Sequence, residues 1–182
     1  MIEQRIPAGM LDETTEFFAE STSEIPFFVK NGKITSCEQM DGDLYQTMLE
    51  DAKSNAKWWA ILEDWHPGDE RRKVYQHIAC RYGALNSTPD IDKEGRLSAE
   101  VRMCGECLSC RGFGEGCARI EGLTHREMLS VVLLAQGLAD KQVADMMGIS
   151  FFTLNEFKRR MSVKLQAHSK IDIISKFYNA IM

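Results

Sequence analysis

Nowhere does the sequence hold an apolar run near the roughly 20 residues that a membrane-spanning helix needs, which argues against a helical membrane protein. The opening MIEQRIPAGMLDETTE has neither the basic start nor the apolar stretch of an export signal, which predicts a cytoplasmic chain. Also missing is the pattern of a phosphorylatable receiver domain. That fold needs alternating buried strands and helices with acidic residues at the end of the first strand, and the first 120 or so residues hold no such strand. His66, His77, His125 and His168 lie in unrelated contexts, without paired carboxylates or a nucleophile elbow, so the chain is read as a non-enzyme.

What is present is an ordinary globular composition, with 44% hydrophobic residues in 182, and an uneven charge. From Leu123 onward there are 8 Lys/Arg against 5 Asp/Glu, a net of +3. Before it there are 14 against 22, a net of −8, and together these give the −5 of the whole chain. An acidic part joined to a mildly basic one is expected when only the second meets a polyanion.

The amino-terminal half reads as a small α+β region over residues 1–83. Asn31-Gly32 supplies positive φ at both centres of a hairpin turn between short runs in Ile25 to Cys37, placing Cys37 on a core strand. Tyr45, Met48, Leu49, Ala52, Ala56, Trp59 and Leu62 recur at helical spacing, so two helices or one broken helix cover Asp41 to Asp64. His66-Pro67-Gly68 interrupts, and Asp69 is placed to cap a third helix through Val74, Ile78 and Cys80. Trp58, Trp59 and Trp65 are read as core or interface residues.

Residues 121–182 carry the denser signals. Thr124 with Glu127 is a capping box ahead of the apolar run Val131 to Ala135, and Gly137 is a natural stop. Asp140 is expected to cap a short second helix, Gly148 to turn the chain, and Ser150 to cap a third helix. In that third helix Leu154, Phe157, Met161 and Leu165 form an inward stripe. Among the remaining positions, Thr153, Asn155, Lys158, Arg159, Arg160, Ser162 and Lys164 are polar or cationic. A helix of this kind fits the major groove of double-stranded DNA, amino end toward the bases. A fourth helix, with Ile171, Ile174, Tyr178 and Ile181 on one stripe, is expected to close the bundle.

In order, Leu123-Thr124-x-Arg126-Glu127, Ala135-Gln136-Gly137-Leu138, Lys141-Gln142-Val143-Ala144, Gly148-Ile149-Ser150, Thr153-Leu154 and Lys164-Leu165 resemble the LuxR-type (GerE-like) helix-turn-helix. The resemblance implies a four-helix DNA-binding domain whose third helix reads the major groove, often as a homodimer. Ala139, Phe157 and Leu129-Ser130 depart from the family pattern. The candidate DNA-binding residues are Lys141, Ser150, Thr153, Asn155, Lys158, Arg159, Ser162 and Lys164.

Between these parts, residues 84–120 read as a Cys/Gly-rich connector. Cys104, Cys107, Cys110 and Cys117, with Cys80 upstream, crowd into a segment too rich in glycine to order itself by packing, which suggests a metal. Cys80-Arg81-Tyr82-Gly83, Pro89-Asp90-Ile91, Cys104, Cys110 and Glu115-Gly116-Cys117 also resemble a group of regulators that carry these elements ahead of a LuxR-type domain. By that resemblance Cys80, Cys104, Cys110 and Cys117 are the candidate zinc ligands and Cys107 is the extra residue. Cys80, Cys107, Cys110 and Cys117 resemble the WhiB-like iron-sulfur arrangement as well, although the last gap is longer and the following Gly-Trp turn is missing. Plain thiols remain the third possibility.

The sequence therefore predicts a mainly α, cytoplasmic transcription regulator that binds double-stranded DNA, as a homodimer, with RNA polymerase a possible further contact. The rival classes are a sigma-factor-like or anti-activator protein-interaction module and an iron-sulfur or thiol redox sensor.

Overall fold

The structure is a computed structural model that describes residues 6–20, 24–99, 109–117, 120 and 122–181. Cys104 and Cys107 lie outside the described residues. The chain divides into two compact units, residues 1–104 with 115–118 and residues 105–114 with 119–182. Among the described residues no helix is long and apolar enough to cross a membrane.

The first unit packs a small antiparallel sheet on three helices. Strands β1 (Glu16–Phe18), β2 (Phe27–Lys30) and β3 (Lys33–Ser36) lie in that order. The β2–β3 hairpin turns where expected, with Asn31 at φ 51° and Gly32 at φ 71°, the left-handed pair that matches the twist of adjoining strands. Cys37 is buried as expected but begins a 3-10 turn, Cys37–Gln39, and does not lie on the strand. Sequence reading missed β1, whose place depends on a partner far along the chain. The Phe17 N–H donates to the Asp90 carboxylate at 2.7 Å, and Ile91 bridges both Thr15 and Leu97. Residues 90–97, expected within the connector, are thus woven into this unit.

Helix α1 (Gly42–Ser54) starts on Asp41, whose carboxylate accepts the Leu44 N–H at 2.8 Å. It ends at Asn55, which is extended and at once caps α2 (Ala56–Trp65) by accepting from the Lys57 and Trp58 N–H groups. This break resets the helical phase. A stripe read straight through puts Ala56, Trp59 and Leu62 inward; Leu62 is buried as expected, but Trp58 is the buried tryptophan and Ala56 is exposed. Trp59 is half-buried, with the Lys53 and Lys73 ammonium groups 5.0 and 4.9 Å from its ring centre. Asp69 caps α3 (Glu70–Arg81) as expected. Phe17, Phe28, Met48, Val74, Ile78 and Tyr82 form the main core, and Ala52, Trp58, Leu62 and Cys80 form a second cluster.

A hydrogen-bonded chain runs through this core. The Trp58 indole N–H donates to His77 Nδ1 at 2.9 Å, which fixes the imidazole as neutral with its proton on Nε2. That proton is donated to Asp51 at 2.8 Å, and the Tyr82 hydroxyl donates to the same carboxylate oxygen at 2.8 Å. Burial holds the His77 pKa below its ordinary value, outweighing the pull of Asp51. Gly116 lies against the Trp58 ring so closely that a Cβ there would come within 2.4 Å of it, and Asn55 donates to the Glu115 carbonyl. The end of the cysteine segment is thereby seated on the first unit.

The second unit contains α4 (His125–Ala135), α5 (Asp140–Met146), α6 (Phe151–Lys164) and α7 (Lys170–Ile181). Its core joins Met128, Val131, Val132 and Leu134 of α4 with Val143, Leu154, Met161, Ile173 and Phe177. The stripe expected on α7 is corrected. Ile173 and Phe177 face inward, whereas Ile171 is 79% and Tyr178 39% exposed, because the bundle meets α7 on a face about 100° away, one residue back, from that of Ile174 and Tyr178.

Candidate nucleic-acid interface

The site begins with how α5 and α6 are set. Gly148, at φ 61°, ends α5 in a Schellman turn, with Gly148 N–H to Asp145 O at 3.1 Å and Ile149 N–H to Ala144 O at 3.0 Å. Two residues later Ser150 caps α6, its hydroxyl accepting the Thr153 N–H at 3.1 Å and lying 2.9 Å from the Thr153 hydroxyl. A sharp turn followed at once by a capped helix is the geometry of a helix-turn-helix.

Asp140 does not cap α5. Ala139 holds the cap position, and the Gln142 side chain accepts the Ala139 N–H at 2.9 Å. Being inside the helix frees the Asp140 carboxylate to pair with Lys158 of α6 and, at 2.6 Å, with Lys170 of α7. Burial would raise the Asp140 pKa, but these two ammonium groups hold it below the usual range.

A second clamp holds the carboxy end of α6. Thr124 and Glu127 form the expected capping box on α4, and the buried Glu127 carboxylate also accepts from Lys164 at 2.6 Å. Here too burial pushes the carboxyl up and is outweighed, first by Lys164 and then by Thr124. Lys176 on α7 donates to the Leu165 and Gln166 carbonyls at the carboxy end of α6, and the Tyr178 hydroxyl to Ala135 O on α4.

The candidate residues consequently separate into two groups. Lys158 stands one turn beyond Leu154, on the inward side, with its side chain 20% exposed and its ammonium on Asp140. Lys164 is likewise engaged with Glu127. Arg159 is open, its side chain 67% exposed and paired, among the described residues, with Glu156 of its own helix. Lys141 and Ser150 are exposed, and Thr153, Asn155 and Ser162 are half-buried at the margins. The centre of the outward face is Phe152, Glu156, Arg159 and Val163 at steps of four, three and four, with Arg160 exposed beside it. Phe152 and Glu156 are not among the sequence candidates. An aromatic residue outside the Leu154 stripe was the available signal for the first.

The cysteines are less gathered. Cys80 and Cys117 are both buried in the first unit, and Cys80 shares a cluster with the Trp58 against which Gly116 lies. Cys80 accepts from the Gln76 side chain at 3.2 Å, and Cys110 is half-buried. Among the described residues no three His, Cys, Asp or Glu side chains converge as a metal site.

Residues 121–177 match the family of bacterial regulatory proteins described as the luxR family, GerE. This segment is a LuxR-family helix-turn-helix domain. The transcription regulator of virulence factors BvgA, from Bordetella pertussis and from Bordetella bronchiseptica, is 40% identical over 55 residues. Those residues are 30% of this chain and 26% of each relative, so the match spans about a quarter of the relatives' length. No solved structure matches the chain.

Proposed function

We propose that the chain is a sequence-specific transcription regulator that inserts α6 into the major groove of double-stranded DNA. The observation that carries this is the open outward face of α6, with Arg159 and Arg160 exposed, on a helix clamped from behind at Asp140 and Glu127. Lys141, Ser150, Thr153, Asn155, Arg159 and Ser162 contribute side chains at the interface. Lys158 and Lys164 act by fixing the helix that presents them. The protein binds as a homodimer, for which the exposed Ile171 and Tyr178 of α7 are available, and it contacts RNA polymerase from the bound duplex.

Titrating the full chain against a labelled random-sequence duplex at about 50 and about 200 mM salt tests the DNA reading. Measurable binding that weakens steeply with salt is expected. No binding at the lower salt overturns it in favour of a protein-interaction module.

We further propose that the cysteine segment holds zinc, with Cys80, Cys104, Cys110 and Cys117 as its four ligands and Cys107 as the alternate. Thiolates suit zinc, and glycine-rich backbone can turn its amides toward sulfur. The metal would supply structural cross-linking where apolar surface is scarce. Elemental analysis of purified protein reads about one zinc per chain if this is right; iron with labile sulfide, or no metal, overturns it.

A further inference from the structure

We propose that Phe152 is a specificity-determining residue that reads a thymine by packing its ring on the base's 5-methyl group. The inference rests on the assignment of α6 to the major groove and goes beyond it by naming a base and an atom.

Phe152 is 82% exposed, so the fold makes little use of its ring. Its neighbour Phe151 is different, with the Lys158 ammonium 5.9 Å from its ring centre on the side of the Asp140 clamp. Phe152 sits in the first turn of α6, just after the Ser150 cap, where a groove-bound helix comes nearest the base edges. The nearest cationic side chain on its stripe is Arg159, two turns away and paired with Glu156. Beside the Ser150 and Thr153 hydroxyls, which are engaged with each other, what the amino end of the helix offers is therefore an apolar surface.

In the major groove of unmodified DNA, thymine alone presents an apolar group, its C5-methyl. An aromatic ring aimed there gains by excluding water from both surfaces, and a cytosine or a purine at that position offers no equivalent. Asn155, about one turn further on and to the flank of the same face, has the side-chain amide that pairs with adenine N6 and N7. The helix start is thus suited to a site containing adjoining A·T pairs.

The test selects duplexes from a randomised library with the full chain, then replaces each thymine of the selected site in turn by deoxyuridine. Deoxyuridine keeps the pairing edge and lacks only the methyl. For the wild-type protein, one position per half-site is expected to lose about fourfold in affinity, as for one buried methyl. Phe152→Ala is expected to bind the thymine duplex more weakly and to bind the thymine and deoxyuridine versions equally, with unchanged thermal unfolding. Wild-type protein indifferent to deoxyuridine at every position, or Phe152→Ala with full discrimination, overturns the inference while leaving DNA binding intact. Failure to retain any duplex overturns the groove assignment and this inference together.

Discussion

Asp140 and Glu127 do more for the interface than the cations they hold. Each carboxylate draws a lysine of α6 back into its own domain, so the third helix is braced at its middle and at its carboxy end by charges that composition alone would assign to DNA. Lys158 was legible as a cation, but its spacing from Leu154 places it inward, and the sequence does not announce which carboxylate waits there. Replacing Asp140 by Ala leaves Lys158 and Lys170 without their partner. A loss of about 1 kcal/mol in urea unfolding is expected, modest because the pair is partly solvated. Gln166 is a second residue-scale case. It ends α6 at φ 53°, a conformation that favours glycine, and its side chain is exposed. Gln166→Gly is expected to stabilise the domain by about 0.5–1 kcal/mol, and a lower unfolding midpoint would contradict that.

At the scale of elements, what could be read early was local. The hairpin follows from Asn31-Gly32, the start of α3 from Asp69, and the start of α6 from Ser150, because each signal acts within a few residues. Strand β1 has no such signal. It is fixed by Asp90, 73 residues away, and no period within Glu16–Phe18 reveals it. Likewise Asn55 shifts the phase between α1 and α2, so Trp58 and not Trp59 enters the core. That places Trp58 on His77, and the pair links α2 to α3.

Trp58→Phe removes the donor and leaves His77 Nδ1 buried without one, at a cost of about 1–3 kcal/mol. The lowered pKa of His77 also has a definite sign. The unfolded chain takes up a proton near the ordinary value of 6.5 and the folded chain does not. Its stabilising effect is complete above that pH and is lost as pH falls from there toward the folded pKa. Asp51, held low by His77 and Tyr82 against its own burial, extends the loss to more acid pH. Urea unfolding followed by tryptophan fluorescence should show midpoints falling below about pH 6.5; a flat profile would contradict the buried neutral imidazole.

For the whole molecule, the charge asymmetry visible in the sequence coincides with the division into units, the acidic part in the first and the cationic helix in the second. The family of the second unit was legible because its signals recur in register over some 55 residues. The first unit yielded its fold only in pieces, since Asp90 and Ile91 reach it from beyond the helices. The central claim is that the outward face of α6 meets the phosphates and bases of a duplex. Its most direct test is the slope of log affinity against log salt for wild type and for the Arg159→Ala, Arg160→Ala double variant. A slope shallower by about two per bound subunit, or about four for a bound dimer, is predicted in the variant, with unchanged thermal unfolding. Identical slopes, from proteins that both bind DNA, would contradict it.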